Sequence, residues 1–294
     1  MIEIHSYKFN RKSLISLKKI ERKEFDMENF LVALAQCHSD RYQKENNFKL
    51  AEKYIKEAHE KQAKLILFPE MFVTGYLIKS KIEELAENVG DETTTFFSNL
   101  AKKYQIAIIF GFPEKSEDNI YNTACFVDVD GEIKGVYRKT HLFGENDEKM
   151  FHKGSQIFAF DTSLCRIGLL ICYDIEFPEP SRILALEGAK LICMISANMY
   201  PYEEYHITYM KTRAMENSVY VISANAIGIE DEFHYCGKSA AFSPKGETLC
   251  IGDMDKECVY YAEIDIKKTT HDDDALNYLK HRRTDLYSKI THKK

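Results

Sequence analysis

Short apolar runs alternate with helix-length amphipathic segments along most of the chain, and this alternation constrains the fold more than any other feature. Apolar runs of this kind, bounded by turn signals, are typical of strands that are buried on both faces of a sheet. Helical segments are predicted over 45–62 and 94–104 and from residues 179 and 205 onwards. The pattern predicts βαβ units and therefore an α/β fold. The apolar runs are FLVALAQ (30–36), LILF (65–68), IAIIFGF (106–112), RIGLLIC (166–172), LICMIS (191–196) and VYVIS (219–223).

Turn signals and composition divide the chain into one domain with two flanking segments. Asp130-Gly131 and the KGE turn at 245–247 indicate hairpins, and no linker or low-complexity run interrupts residues 29–264. We therefore predict a single domain over 29–264. Residues 1–28 are predicted to be an N-terminal extension that caps the domain or forms a frayed arm. Residues 265–294 are predicted to be a C-terminal extension that packs on the domain or on a partner subunit.

Charge and cysteine content argue against several classes of protein. A formal net charge of -6 does not suit a general nucleic-acid binder, which needs a basic surface. The eight cysteines are scattered singly without a CxxC pair, which disfavours both a structural zinc site and a secreted disulfide framework. No apolar stretch approaches the roughly 20 residues that span a bilayer. We expect a cytoplasmic protein with reduced thiols and no metal, membrane or nucleic-acid partner.

Three polar residues lie at the ends of predicted strands, where ligands bind in open α/β sheets. Glu70 ends LILFPE, Lys139 ends GVYRK and Cys172 ends IGLLIC; Asn198 follows the strand LICMISA in the same way. Individually these residues are explained as a carboxylate at a helix start, a surface lysine and a buried core thiol. Together they supply a base, a cation and a nucleophile, which is what a thiol needs to attack a carbonyl group.

Three segments around these residues resemble the signature segments of the nitrilase superfamily of carbon–nitrogen hydrolases. They are LFPEMFVTGY (67–76), YRKTHLFG (137–144) and CYDIEFPE (172–179). The resemblance extends from about residue 30 to 287, because RAMENSVYVISAN (213–225) and RRTDLY (282–287) match further segments in order.

The resemblance implies an αββα four-layer sandwich and a catalytic triad of Glu70, Lys139 and Cys172. It also implies hydrolysis of a carbon–nitrogen bond through a thioester, without metal or organic cofactor, in which the Tyr173 backbone N–H helps to hold the oxyanion. Many members of the superfamily associate through paired sandwiches, so a homodimer or larger homo-oligomer is expected.

The position of the superfamily's second glutamate is ambiguous in this sequence. Spacing from Lys139 favours Asp147, with Glu145 and Glu148 as alternatives. His141 lies two residues beyond Lys139 and would allow a Cys–His dyad, although with Glu70 present a structural role for His141 is favoured.

The reaction branch is predicted from the residues after the nucleophile. True nitrilases usually carry Trp-Glu there, whereas Tyr173-Asp174 is typical of amidases and carbamoylases. The segments most resemble amidases of short aliphatic amides, including 5-aminopentanamide hydrolases (5-aminopentanamidases). N-carbamoyl amine hydrolases and ω-amidases are the alternatives, and a catalytically inactive regulatory homologue is the alternative from a different class.

The loop ANMYPYEEYH (197–206) follows a strand in the same way as the triad candidates and is predicted to line the pocket. Asn198, Met199 and Tyr200 are therefore candidate substrate-binding residues, with Tyr202 completing an apolar wall. Glu203 or Glu204 would pair with a substrate ammonium group, unless both only begin the next helix, where carboxylates are favourable.

Overall fold

The computed structural model describes residues 29–269 and 276–291, so the predicted N-terminal extension lies outside the described residues. The strands are β1 (Asn29–Gln36), β2 (Leu65–Leu67), β3 (Ala107–Ser116), β4 (Asn119–Val127), β5 (Ile133–Arg138), β6 (Ala159–Asp161), β7 (Arg166–Ile171), β8 (Leu191–Ser196), β9 (Tyr220–Asn225), β10 (Ile227–Glu230), β11 (Phe233–Cys236), β12 (Ala240–Phe242), β13 (Thr248–Ile251) and β14 (Cys258–Asp265). The α-helices are α1 (Lys44–Glu60), α2 (Ile82–Leu85), α3 (Glu92–Tyr104), α4 (Gly144–Met150), α5 (Pro178–Leu186), α6 (Glu203–Asn217) and α7 (Ser288–Thr291).

The strands form two six-stranded mixed sheets and one hairpin. The first sheet has the order β14-β1-β2-β3-β4-β5, and the second has the order β13-β12-β9-β8-β7-β6. The central strands run parallel, β1 to β3 in the first sheet and β7 to β9 in the second. The hairpin β10–β11 stands apart from both sheets.

Alternate residues of the first sheet face two different layers, which explains why its strands are apolar throughout. Val32 and Leu34 of β1 belong to the core cluster that includes the second sheet, whereas Ala33 and Ala35 belong to the cluster that includes α1 and α3. On the other side, Leu184 of α5 packs with the second sheet, as do Met210 and Ala214 of α6. The layer order is therefore helix, sheet, sheet, helix, and the predicted αββα sandwich is confirmed.

The predicted elements differ from the observed ones mainly at their ends. The first predicted helix, 45–62, is α1 over Lys44–Glu60, and the second begins at Glu92 rather than at residue 94. Helix α4 and the hairpin β10–β11 were not expected from the sequence. Beyond β14, Leu279 packs against the core cluster that includes the second sheet. No helix within the described ranges is long and apolar enough to cross a membrane.

A glycine in β3 allows the loop after β2 to approach the sheet. A Cβ atom on Gly111 would lie 2.5 Å from the Met71 backbone nitrogen and 2.9 Å from the Pro69 carbonyl oxygen. The Gly111 carbonyl oxygen also accepts a hydrogen bond from Val73 N–H at 3.2 Å. Any side chain at this position would push the loop after β2 away from the sheet. Gly111 therefore allows the loop to hold Glu70 close to the sheet.

Candidate active site

Cys172 lies immediately after β7, at the point where the chain leaves the sheet. Its φ angle is +47°, in the left-handed region, and it begins a 3₁₀ turn over Cys172–Glu176. A non-glycine residue in this region costs on the order of 1–3 kcal/mol and is often found at functional sites. The sharp turn lifts the thiol out of the strand, so Cys172 is not an ordinary core cysteine.

Lys139 lies between two carboxylates in the interior of the protein. Its Nζ donates to Glu70 Oε1 and to Asp147 Oδ2, each at 2.7 Å, and all three side chains have no exposed surface. Lys139 is therefore a buried cation and not the surface lysine that the sequence left open. Two carboxylates and one ammonium give this network a formal charge of -1 when all three are ionised.

The Glu70 carboxylate joins the two sheets at the carboxyl ends of their central strands. Its Oε1 atom also accepts a hydrogen bond from Asn122 Nδ2 at 2.7 Å, and its Oε2 atom accepts one from Ala197 N–H at 2.9 Å. Ala197 directly follows β8, and the Glu70 N–H donates to the Ser196 carbonyl at 3.3 Å. A carboxylate oxygen has two lone pairs, so one on Oε2 remains for a proton.

Among the candidates for the second carboxylate, the structure places Asp147 beside Lys139. Besides Lys139, Asp147 accepts hydrogen bonds from Tyr76 Oη at 2.5 Å and from Phe143 N–H at 2.9 Å. Glu145 and Glu148 are exposed on the other faces of α4, and Glu145 pairs with Lys149. Asp147 is one methylene shorter than glutamate, and its carboxylate is hydrogen-bonded by the Tyr76 hydroxyl and the Phe143 N–H as well as by Lys139.

Burial has the largest effect on the pKa values of Glu70, Cys172 and Lys139. It raises the pKa of Glu70, an effect that Lys139 opposes and Asp147 reinforces. Burial, reinforced by Glu70, also raises the pKa of the Cys172 thiol well above its usual range. For Lys139 burial lowers the pKa, but Asp147 and Glu70 together raise it well above its usual value. The resting site therefore contains a neutral thiol and a charged lysine, and Cys172 needs a base before it can attack.

Asp174 connects the segment that carries Lys139 to the turn that carries Cys172. It accepts hydrogen bonds from the side chains of Tyr137 at 2.9 Å and Thr140 at 2.8 Å, and from His141 N–H at 2.9 Å. The His141 ring contacts Asp174 at 2.8 Å and stacks on Phe177 at a centroid distance of 4.0 Å. These contacts support the structural role of His141 over a Cys–His dyad.

The thiol of Cys172 forms part of the wall of a cavity of about 250 Å³. Glu70 and Lys139 are buried and do not line the cavity, but both are close enough to act electrostatically on Cys172. The lining residues are Phe143, Cys172, Tyr173, Glu176, Asn198, Met199, Tyr202 and His206.

The loop 197–206 contributes only part of what was expected of it. Asn198, Met199 and Tyr202 line the cavity, but Tyr200 does not, because its ring lies 4.6 Å from that of His234 instead. Glu204 pairs with Lys238, and Glu203 lines a neighbouring cavity of about 210 Å³. Both glutamates begin α6, as the alternative interpretation proposed.

Sequence reasoning missed three residues of the cavity wall, namely Phe143, Glu176 and His206. Phe143 and Glu176 lie inside the motifs YRKTHLFG and CYDIEFPE, so their proximity to the triad candidates was the available signal. His206 ends the loop that was predicted to line the pocket, but nothing in its spacing distinguished it from its neighbours.

A family model for carbon–nitrogen hydrolases matches residues 31–272 of the chain. The chain belongs to the carbon–nitrogen hydrolase family. The prediction of an enzyme that hydrolyses carbon–nitrogen bonds is thereby confirmed at the level of the family.

Similar proteins span nearly the whole domain. The "hydrolase in pqqF 5′ region" of Pseudomonas protegens is 37% identical over 264 residues, covering 88% of this chain and 91% of its own length. The omega-amidase NIT2 of Homo sapiens is 32% identical over 274 residues, covering 89% of this chain and 98% of its own. The crystal structure of a carbon–nitrogen hydrolase from Helicobacter pylori G27 has a TM-score of 0.84 at 26% identity, covering 90% of this chain and 99% of that one.

The described part of this carbon–nitrogen hydrolase holds no group of three or more His, Cys, Asp or Glu side chains placed to bind a metal ion. The acidic and thiol groups of the site are instead brought together around Lys139.

His206 gives this enzyme a testable dependence of stability on pH. Burial lowers the pKa of His206 from 6.5 to about 3, and the positive charge of Lys139 acts in the same direction. Between these two values the unfolded chain binds one more proton than the folded protein, so the free energy of unfolding falls as the pH is lowered from 6.5. From pH 7 to pH 5 this group alone should cost about 2 kcal/mol.

Urea denaturation at pH 7 and pH 5 measures this contribution when the wild type is compared with His206→Gln. The variant should lose about 2 kcal/mol less between the two pH values. An equal loss in both proteins would mean that His206 titrates normally in the folded state.

Proposed function

We propose that the protein is a cysteine amidase that hydrolyses short aliphatic primary amides through a thioester intermediate. The observation that carries this proposal is the buried network of Glu70, Lys139 and Asp147 beneath a cavity whose wall includes Cys172. Base, cation and nucleophile are the groups that acyl transfer from an amide requires.

In the proposed reaction, Glu70 takes the thiol proton while Sγ of Cys172 attacks the amide carbon. Lys139 and the Tyr173 N–H stabilise the oxyanion that forms. Lys139 uses two of its three N–H donors in the resting enzyme, which leaves one for this role. Tyr173 is the second residue of a helical turn, where backbone N–H groups have no partner within the turn.

The carbon–nitrogen bond then breaks, and the protonated Glu70 gives its proton to the leaving nitrogen, so that ammonia departs and the acyl group remains on sulfur. A water molecule gives its proton to Glu70 and attacks the thioester. The carbon–sulfur bond breaks, the thiol recovers the proton from Glu70, and the product leaves as a carboxylic acid, which then ionises in water to the carboxylate.

The lining of the cavity supports a substrate with a short aliphatic chain. Phe143, Tyr173, Met199 and Tyr202 provide apolar surface for methylene groups. We propose 5-aminopentanamide as the representative substrate.

Two neighbouring activities are the alternatives. Omega-amidase activity is suggested by the human relative. An ω-amide of a dicarboxylic acid carries a carboxylate at the end opposite the amide. The cavity wall, as far as the chain is described, includes no lysine or arginine that would pair with that carboxylate. An N-carbamoyl amine hydrolase would use the same triad on a urea-like group. The presence of base, cation and thiol together disfavours an inactive regulatory homologue.

A substrate panel tests the proposed function. Pentanamide, 5-aminopentanamide, glutaramate, N-carbamoylbutylamine and pentanenitrile are incubated with the enzyme, and ammonia and carboxylate are measured separately. Pentanamide and 5-aminopentanamide should each give ammonia and carboxylate in equal amounts, because hydrolysis of one amide releases one molecule of each product. Cys172→Ala, purified in parallel, controls for contaminating amidases. Faster turnover of glutaramate or of the carbamoyl compound would move the protein to the corresponding branch.

A further inference from the structure

Glu176 presents a carboxylate to the cavity that Cys172 also lines, and the mechanism does not use it. It is the last residue of the 3₁₀ turn that begins at Cys172. Its carbonyl oxygen accepts a hydrogen bond from Arg213 Nη2 at 2.8 Å, and Arg213 Nε donates to the Ile175 carbonyl at 3.0 Å. The backbone of Glu176 is thus anchored to α6, while its side chain, 24% exposed, borders the cavity.

The Glu176 carboxylate has no cationic partner in the described part of the chain. Its nearest titratable neighbour is His206, whose Nε2 lies 3.8 Å from Oε1. Burial lowers the pKa of His206 to about 3, so the ring is neutral at physiological pH. Arg213 directs its Nη1 group to Glu216 at 3.1 Å. A half-buried carboxylate is thus left without a charge to compensate it.

The surroundings of the cavity are negative. Glu70, Lys139 and Asp147 sum to -1 when all three are ionised, and an ionised Glu176 in the cavity wall adds a second negative charge. Burial raises the pKa of Glu176, because its ionised form is poorly solvated there. An ammonium group entering the cavity would offset that cost, whereas a carboxylate would increase it.

The spacing along the turn fits a short amine-bearing chain. Four steps of about 2.0 Å along a 3₁₀ turn separate the Cα atoms of Cys172 and Glu176 by about 8 Å. An extended chain covers about 3.5 Å in three bonds, so the five bonds from the amide carbon to the amine of 5-aminopentanamide span about 6 Å. The two lengths are comparable, so a substrate of this length is long enough to reach from Cys172 towards Glu176.

We infer that Glu176 is the specificity-determining residue of this enzyme and pairs with the ammonium group at the far end of an ω-amino primary amide. This inference rests on the proposed amidase function and deepens it. It transfers to Glu176 the role that the sequence suggested for Glu203 or Glu204. The same carboxylate disfavours ω-amides of dicarboxylic acids, because two negative charges would then lie in one small cavity.

Substitution of Glu176 by glutamine tests the inference, with turnover as the first measurement. In the wild type, kcat/KM for 5-aminopentanamide should exceed that for pentanamide at least tenfold, in line with the cost of losing a partner from a desolvated charge pair. In Glu176→Gln the ratio should fall to about 1, mainly through the amine-bearing substrate. Glu179→Gln, an exposed residue at the start of α5, is the matched control and should keep the wild-type ratio.

Binding in the absence of chemistry separates this inference from the proposed function. Cys172→Ala and the double variant with Glu176→Gln are titrated calorimetrically with 5-aminopentanamide. Binding should weaken at least tenfold in the double variant. If wild-type enzyme turns over neither amide but this difference in binding persists, the amidase proposal fails and the ammonium site stands. Equal binding by the two variants, or a wild-type turnover ratio near 1, would overturn the role of Glu176.

Discussion

Replacement of Cys172 by alanine should reduce turnover of any amide substrate by several orders of magnitude while the protein remains folded. Cys172 is the only one of the eight cysteines, all of which lie in the described ranges, that lines the cavity. Burial keeps the pKa of the Cys125 and Cys165 thiols raised as well, and neither contacts the cavity. No other thiol is therefore placed to replace the lost sulfur, and loss of a nucleophile of this kind costs most of the catalytic power.

The fold should tolerate this substitution. Alanine retains the Cβ atom, so it adopts the left-handed backbone of Cys172 at no greater cost than cysteine does. Removing one sulfur atom next to an existing cavity should change the free energy of unfolding by about 1 kcal/mol. Urea denaturation checks this, and it separates loss of chemistry from loss of structure.

Two further measurements complete the test of Cys172. Intact-protein mass spectrometry during turnover of a slow substrate should detect an acyl adduct on the wild type and none on Cys172→Ala. Cys165→Ala removes the same atom from a core position away from the cavity and should keep wild-type activity within a few-fold. Ammonia release by Cys172→Ala at a rate near that of the wild type would disprove the role of this thiol.

The architecture was predictable because strands buried on both faces leave a strong pattern in the sequence. Ile66 of β2 belongs to the cluster under α1 and α3, and Leu67 belongs to the cluster between the sheets, so neither position admits a polar residue. Helix α4 and the hairpin β10–β11 leave no such pattern. The α4 sequence GENDEKM is almost entirely polar, and its helical conformation is selected by the contacts of Asp147 and Met150 with the interior.

The site was predictable only where residues lie at the ends of regular strands. Glu70 and Cys172 follow β2 and β7, so each is expected near the carboxyl end of its strand, and the packing of the two sheets brings these ends together. The choice among Glu145, Asp147 and Glu148 depends on the rotation of α4, since successive residues point about 100° apart around a helix. That rotation is set by tertiary contacts, which spacing from Lys139 does not describe.

The loop 197–206 and the turn after Cys172 show where sequence reasoning reaches its limit. Tyr200 and Tyr202 are two residues apart in an irregular segment, and no periodicity indicates which of them faces the cavity. The sequence identifies Glu176 only as part of a motif. A single sequence has no signature for the 3₁₀ turn that places this residue at the cavity. Such positions are decided by long-range packing, here by the hydrogen bonds from Arg213 of α6.

Replacement of Glu70 by glutamine should lower kcat at least ~100-fold, the range usual for loss of a general base. Glutamine keeps the shape of the side chain and can still accept hydrogen bonds from Lys139 and Asn122 through its carbonyl oxygen. Its amide NH₂ then faces Ala197 N–H and can no longer receive the thiol proton. Lys139 keeps Asp147 as its partner, and the formal charge of the network changes from -1 to zero, so folding should be maintained.

Glu114→Gln is the matched control for this variant. Glu114 is another buried carboxylate with a cationic partner, Arg138, but it does not contact the site. Its loss should lower the free energy of unfolding and leave kcat within a few-fold of the wild type. A loss of activity in Glu70→Gln that appears only in KM would mean that Glu70 positions the substrate and is not the base.

The pH dependence of Asp147→Asn tests the role of Glu70 as the base, because the direction in which the pH profile moves can be predicted. The charge of Asp147 contributes to the raised pKa of Glu70, so its removal should lower that pKa. Catalysis requires ionised Glu70 at the start of each turnover. The acidic limb of the profile of kcat/KM against pH should therefore move to lower pH in Asp147→Asn, whatever happens to the maximal rate. An acidic limb that stays in place or moves to higher pH would assign the base to a residue other than Glu70. Removal of a neighbouring negative charge lowers the pKa of a carboxyl group and does not raise it.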